Sequence, residues 1–223
     1  MFGSFKEYFD GRKSKRVEKA AKIITNAKAI RDDRWAAIEF VANDVKNVDE
    51  AVPALLPRFE YSLEHGINDT REKELAMKGI VRFGEAAIPF VKDWLKTTTR
   101  IAWPIKVLNQ LGQDAVVIDC LKSALDMGEV SFTQHAVDKN YDILCYLRDY
   151  QLHNEISQIS HFLKDPDERV RYAAAEVLIA QDSNEVKSRL EPFLADDSSE
   201  NRRIRGAVAQ LFTNKGWGAP LPG

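Results

Sequence analysis

His135, Asp138 and Asp142 stand at i, i+3 and i+7, a spacing that lets three side chains on one helical face reach a single metal ion. No other local group in the chain has that arrangement, and exposed Asp and His on a helix are ordinarily solvated, so the metal expectation is none. The remaining histidines, His65, His153 and His161, fall in separate segments. There is no Gly-rich phosphate loop, no paired Cys-x-x-Cys, no His-Glu-x-x-His and no Gly-x-Ser-x-Gly, each of which would mark a known chemistry. No catalytic residue and no cofactor are expected on these grounds.

Arginine is the more telling residue type. Arg34, Arg171 and Arg205 each open the same short phrase, Arg34-Trp35-Ala36-Ala37-Ile38-Glu39, Arg171-Tyr172-Ala173-Ala174-Ala175-Glu176 and Arg205-Gly206-Ala207-Val208-Ala209-Gln210. A planar group with five donors suits a fixed, partly buried acceptor pair, so these three are expected to be structural. Arg169, Arg202 and Arg203 lack that place in the phrase. They are expected either as a solvated face or as a positive patch for an acidic peptide or phosphate. Trp35, Tyr141 and Tyr172 follow the phrase's first residue, and Trp103 lies close to the equivalent place. Facing a groove, these rings would be binding anchors; facing the next helices, they would be core.

The elements that position these residues repeat. With the arginine place as a marker, copies stand at 34, 76, 104, 140, 171 and 205, which makes a unit of about 34 residues with variable turns. Before each marker lies another apolar stretch, as in Val52 to Phe59, Ala87 to Leu95, Val116 to Leu121, Ile156 to Leu163 and Val186 to Leu194. In all of them apolar residues recur three and four apart, the mark of an amphipathic helix. Each unit is thus a helix pair, and no alternating strand pattern competes. Polar breaks at Asn68-Asp69-Thr70, Asp165-Pro166-Asp167-Glu168 and Asp196-Asp197-Ser198-Ser199-Glu200 supply helix caps and first-turn carboxylates. Pro104 replaces the marker arginine in the third unit and places a helix start at Ala102 or Trp103, while Gly128 interrupts the chain beside Met127.

The phrase Asp165-Pro166-Asp167-Glu168-Arg169-Val170-Arg171, with its Ala-Ala pair and Leu178, resembles a bacterial, phycobilisome-lyase-like HEAT repeat. The resemblance covers residues 17–213, best in the first and last two units. It implies an all-α, right-handed solenoid of about six HEAT-like helix pairs, with the second helix of each pair lining a concave side. It also implies an arginine ladder, from Arg34, Arg171 and Arg205 to acceptors in the neighbouring unit. HEAT solenoids serve as scaffolds and adaptors, as bilin-attachment factors, and as glycosylases that remove alkylated bases with a tryptophan, a carboxylate and a basic groove. Trp35 and Glu39, one turn apart beside Arg34, match the last of these only briefly. The leading expectation is a non-enzymatic, monomeric scaffold or adaptor that binds a protein or acidic peptide through the groove of second helices.

Composition agrees: charged residues are 30% and apolar residues 44%, and the formal net charge is -2. No global field draws such a chain to nucleic acid, and a cytoplasmic site with Cys120 and Cys145 as reduced core residues is expected. Residues 1–16 stand apart from the repeats. Phe2, Phe5 and Phe9 form an aromatic stripe followed by Gly11-Arg12-Lys13-Ser14-Lys15-Arg16, expected either to cap the stack or to dock a partner or an anionic membrane surface. Residues 214–223, with three glycines and two prolines, are expected as an extended tail whose Trp217 folds back on the last unit. No apolar run is long enough to span a membrane.

Overall fold

In a computed structural model of the chain, the described residues are 15–127, 133–152, 154–181 and 183–218. Every regular element among them is helical. Residues 15–24 form α1, followed by α2 (Arg31–Asp44), α3 (Val48–Leu55), α4 (Gly66–Val81), α5 (Ile88–Thr97), α6 (Ala102–Leu111) and α7 (Asp114–Ala124). Then come α8 (Gln134–Leu147), α9 (Ile156–His161), α10 (Glu168–Ile179), α11 (Asn184–Leu190) and α12 (Arg202–Lys215). Short 3-10 turns at Leu56–Glu60, Gly84–Ala87, Phe162–Lys164 and Glu191–Ala195 extend or precede the odd-numbered helices. The chain is all-α, as the apolar spacing requires. Phe2, Phe5, Phe9 and Gly128 lie outside the described residues.

Contacts divide the chain into two compact units, one up to Cys120 and one from Leu121. In the first, α2, α4 and α6 pack successively side by side, with α3 on both α2 and α4 and with α5 on α6. In the second, α8, α10 and α12 pack in the same succession, with α9 and α11 on α10 and on each other. The even helices are the ones that carry the repeated phrase. Each places its small or branched residues between its neighbours: Ala37, Ile38 and Val41 on α2, Ala173, Ala174, Val177 and Leu178 on α10, and Ile204 and Val208 on α12 are all buried. A single helix could not shield that much apolar surface, so each depends on the next.

Two adjustments tune the packing. Gly79 on α4 faces α2 and α3 so closely that a Cβ would stand 2.6 Å from the Ala42 Cβ and 2.8 Å from a Leu55 methyl, and only a glycine allows that approach. Helix starts are set by side chains: Asn47, Thr133, Asp167 and Ser183 accept from the backbone N–H groups of Asp49, Ala136, Arg169 and Glu185. The break expected at Asn68-Asp69-Thr70 is a correction. All three residues lie inside α4, which begins at Gly66, because the Asp69 carboxylate is claimed by the buried cations described below rather than by a cap. At the other end α12 continues to Lys215, two residues beyond the expected limit of the repeats. It stops at Gly216, whose φ of 63° is left-handed. Trp217 then turns back, its N–H donating to the Phe212 carbonyl and its ring edge-on to Phe212 at 5.2 Å.

Two glycines separate propensity from packing. Gly79→Ala, despite the better helix former, is expected to lower stability by about 1–3 kcal/mol through overcrowding. Gly206→Ala, with nothing within 4 Å of the new Cβ, is expected to raise it by about 0.5–1 kcal/mol. Urea unfolding of the two variants checks both signs.

Candidate functional site

The first residue of the repeated phrase closes the turn that leads into its own helix. Arg34 donates through one nitrogen, Nη1, to the carbonyls of Ala29 at 2.8 Å and Ala27 at 3.5 Å. Arg171 uses the same nitrogen on the carbonyls of Asp165 at 2.8 Å and Pro166 at 2.9 Å. Arg205 reaches the Asp196 carbonyl at 3.2 Å and also the Asp197 carboxylate. Asn140, at the marker place of α8, binds the backbone of Asp126 through both its amide oxygen and nitrogen at 2.8 Å. A turn between helices leaves carbonyls without intrahelical partners, and burying them without donors is costly. The marker side chain meets that need.

The rest of the guanidinium reaches the following even helix at a constant register, four residues before its marker. Arg34 forks onto Glu72 of α4, Nε to one oxygen at 2.8 Å and Nη2 to the other at 3.0 Å. Arg171 places its Nε 3.0 Å from the Asn201 amide oxygen, just before α12. The α4 marker, Ala76, has no donor at all. Arg58 from the Leu56–Glu60 turn does that work instead, donating to the Tyr61 and Asp69 carbonyls, to the Asp69 carboxylate at 2.7 Å and to Glu72 at 2.8 Å. Lys73 completes the group, 2.7 Å from Asp69.

Three cations and two carboxylates are thus held together inside the first unit, with Arg58 fully buried and Glu72 only 1% exposed. The Glu72 hydrogen bond outweighs desolvation and holds Arg34 more firmly protonated than a free arginine. Burial pushes the Asp69 carboxyl up, but the hydrogen bonds from Lys73, Arg58 and the Leu63 N–H prevail and leave it below the ordinary carboxylate value of 3.8. Tyr61 covers the group, its ring 4.4 Å from the Arg58 guanidinium carbon and its hydroxyl donating to the Ile24 carbonyl. Each oxygen of the two carboxylates accepts from within the unit, which makes the group an element of architecture.

The aromatic residues are neither fully core nor fully open. Trp35, Trp103, Tyr141 and Tyr172 are all half-buried. Trp103 stacks on Phe59 at 5.9 Å and carries Lys106 on its ring at 4.3 Å. Trp35 lines a cavity of about 200 Å³ with Arg31, Asn68 and Arg71. Arg203 lies over Tyr172 at 4.1 Å, and Arg169 stands 5.9 Å from Tyr141. In both of these pairs the arginine is two places before one marker and the ring one place after the preceding marker. The Tyr141 hydroxyl is engaged by the Cys145 thiol, which raises its pKa.

Of Arg169, Arg202 and Arg203, expected either as a solvated face or as a positive patch, only the last two lack an acidic partner among the described residues. Arg169 is compensated by Asp167 at 3.2 Å and Asp138 at 3.1 Å, because Asp167 caps the same helix start and Asp138 sits one helix away. Arg202 and Arg203 are exposed and have no acidic partner among the described residues. Among the described residues no three His, Cys, Asp or Glu side chains come close enough to hold a metal. Asp138 of the spaced His135, Asp138 and Asp142 set is taken up by Arg169 and Gln134. Cys120 and Cys145 form no disulfide, and no helix among the described residues is long and apolar enough to cross a membrane.

Glu72→Ala strands two buried guanidinium groups and is expected to cost about 3–5 kcal/mol. Arg205→Ala breaks a mostly exposed pair and is expected to cost less than about 1 kcal/mol; chemical denaturation compares them. Asp69, depressed in the folded chain, stabilises above the unfolded value of 3.8 and loses that contribution as pH falls through the folded one. The stability gap between wild type and Asp69→Asn should therefore be wide at about pH 7 and narrow at about pH 3. Comparison with protein-family models, with curated proteins and with solved structures finds no match to this chain.

Proposed function

We propose that the chain is a right-handed solenoid of about six HEAT-like helix pairs that works as a non-enzymatic scaffold, binding an acidic peptide along its even-numbered helices. The repeated register of the marker side chains and the side-by-side succession of even helices support the solenoid. The observation that carries the binding reading is the Arg203–Tyr172 pair. A ring 4.1 Å from the guanidinium carbon holds the group in place, and the exposure of Arg203 keeps its donors within reach of a carboxylate. Arg202 stands beside it, exposed and without an acidic partner among the described residues. Helices already in place lose little freedom on docking, so most of the entropic cost falls on the peptide.

Fluorescence anisotropy with a labelled oligoglutamate peptide tests this reading. Wild type is expected to bind with an affinity that falls as salt rises, and the doubly reversed variant Arg202→Glu, Arg203→Glu to lose at least about tenfold, or 1.4 kcal/mol, with unchanged melting. Equal binding by both proteins, or release of an alkylated base or attachment of a bilin by the wild type, would contradict it.

A further inference from the structure

The two best copies of the repeated phrase differ in one respect. Arg34 has every arm of its fork satisfied, with Nε and Nη2 both on the Glu72 carboxylate. Arg171 has not. It is 7% exposed, its Nη1 is on two carbonyls and its Nε is on Asn201, but Nη2 has no hydrogen-bond acceptor among the described residues. The nearest carboxylate, Glu200, is 3.8 Å away on a side chain 79% exposed to water. At the place where Glu72 supplies an anion, Asn201 supplies only an amide oxygen.

Beside that open arm lies a cavity of about 850 Å³ between α9, α11 and the turns before α10 and α12, with Arg171 in its wall. Lys164 and Arg189 add positive charge, while the Ser160 and Ser188 hydroxyls in its wall donate to the Ile156 and Glu185 carbonyls. That is the size of a small-ligand site. A guanidinium edge with no hydrogen-bond acceptor of its own can take a ligand's carboxylate.

We propose that this cavity binds a carboxylate, which takes the place at Arg171 that Glu72 holds at Arg34. The carboxylate accepts from Nη2 in the plane of the guanidinium, with the positive charge of Lys164 in the same lining. Asp165, Asp196 and Glu200 also line the cavity, so a phosphate, which concentrates its whole charge at one point, meets more repulsion there than a carboxylate group, which brings a single charge to it. Asp196 is already committed to Asn201 at 2.7 Å and to the Ser198 N–H at 2.9 Å. The Asp165 carboxylate accepts from the Asp167 N–H at 2.8 Å. The inference does not rest on the groove reading, since none of the residues assigned to the groove lines this cavity.

The test is NMR of the full chain, following the Arg171 side-chain Nε–H during titration with glutarate, with N-acetylglutamate amide, with neutral glutaramide and with inorganic phosphate. Glutarate is expected to shift that resonance with a Kd near about 1 mM, glutaramide to leave it unmoved, and phosphate to bind more weakly. Tighter binding of N-acetylglutamate amide than of glutarate would identify the natural carboxylate as an acidic side chain of a peptide; the reverse order would identify a small diacid. Two variants keep Arg171 and the fold. Ser188→Glu places a negative charge on the exposed wall, and Asn201→Glu restores the missing internal carboxylate; each is expected to weaken glutarate at least about tenfold. An unmoved Arg171 resonance in wild type, equal shifts by glutaramide, tighter binding of phosphate, or undiminished glutarate binding in both variants would overturn the proposal.

Discussion

Everything in this fold depends on how a turn between two helices disposes of its carbonyls. A helix pair ends in groups that the helices cannot satisfy, and packing the next pair on top removes water from them. The guanidinium at the start of the second helix answers both demands at once. One edge takes the turn's carbonyls and the other takes a side chain on the next even helix, so the group that closes one pair also sets the register of its neighbour. In the first unit this becomes a buried cluster in which Glu72 bridges Arg34 and Arg58. A carboxylate shared between two arginines in a dry interior has strong geometric preferences, and it admits only one placement of α4 against α2.

The same logic explains the variation. Where the marker is Asn140, a shorter side chain still binds a turn backbone through both ends of its amide. Where the marker is Ala76, Arg58 enters from the preceding turn. On the far side of the even helices, Arg82 reaches the Val41 and Val45 carbonyls. Gln181 accepts from the Leu152 N–H and donates to the Tyr150 carbonyl. These too are polar side chains fastening the ends of a neighbouring helix. The fold keeps the function of the contact and not the identity of the residue.

That is also why the amino-acid pattern revealed some parts of the molecule and hid others. Apolar residues three and four apart located the helices, and the arginine phrase located the residues that recur in equivalent roles, Arg34 and Arg171 above all. Asn-Asp-Thr is what a helix start looks like, which makes Asp69 a cap by pattern alone; its burial depends on Arg58 and Lys73, and sequence alone does not reveal that contact. Arg58 did leave a trace, since it falls three residues after Leu55, on the apolar stripe of its own segment. A charge in an apolar register asks for a buried partner, and Glu72 is that partner. Arg169 shows the opposite case: its compensation by Asp138 crosses between helices 31 residues apart, which no local spacing signals. The half-open fork of Arg171 emerges only when the two copies are laid side by side in three dimensions.

The most direct test of this account is a double-mutant cycle between Arg58 and Glu72, with Arg58→Met, Glu72→Gln and the double variant unfolded in urea at neutral pH. If the bridged carboxylate sets the register of the first unit, the two losses overlap, and the coupling energy is about 2–3 kcal/mol. Losses that simply add, to within about 0.3–0.5 kcal/mol, would show that the helices find their places by apolar packing alone and that the arginine forks are passengers.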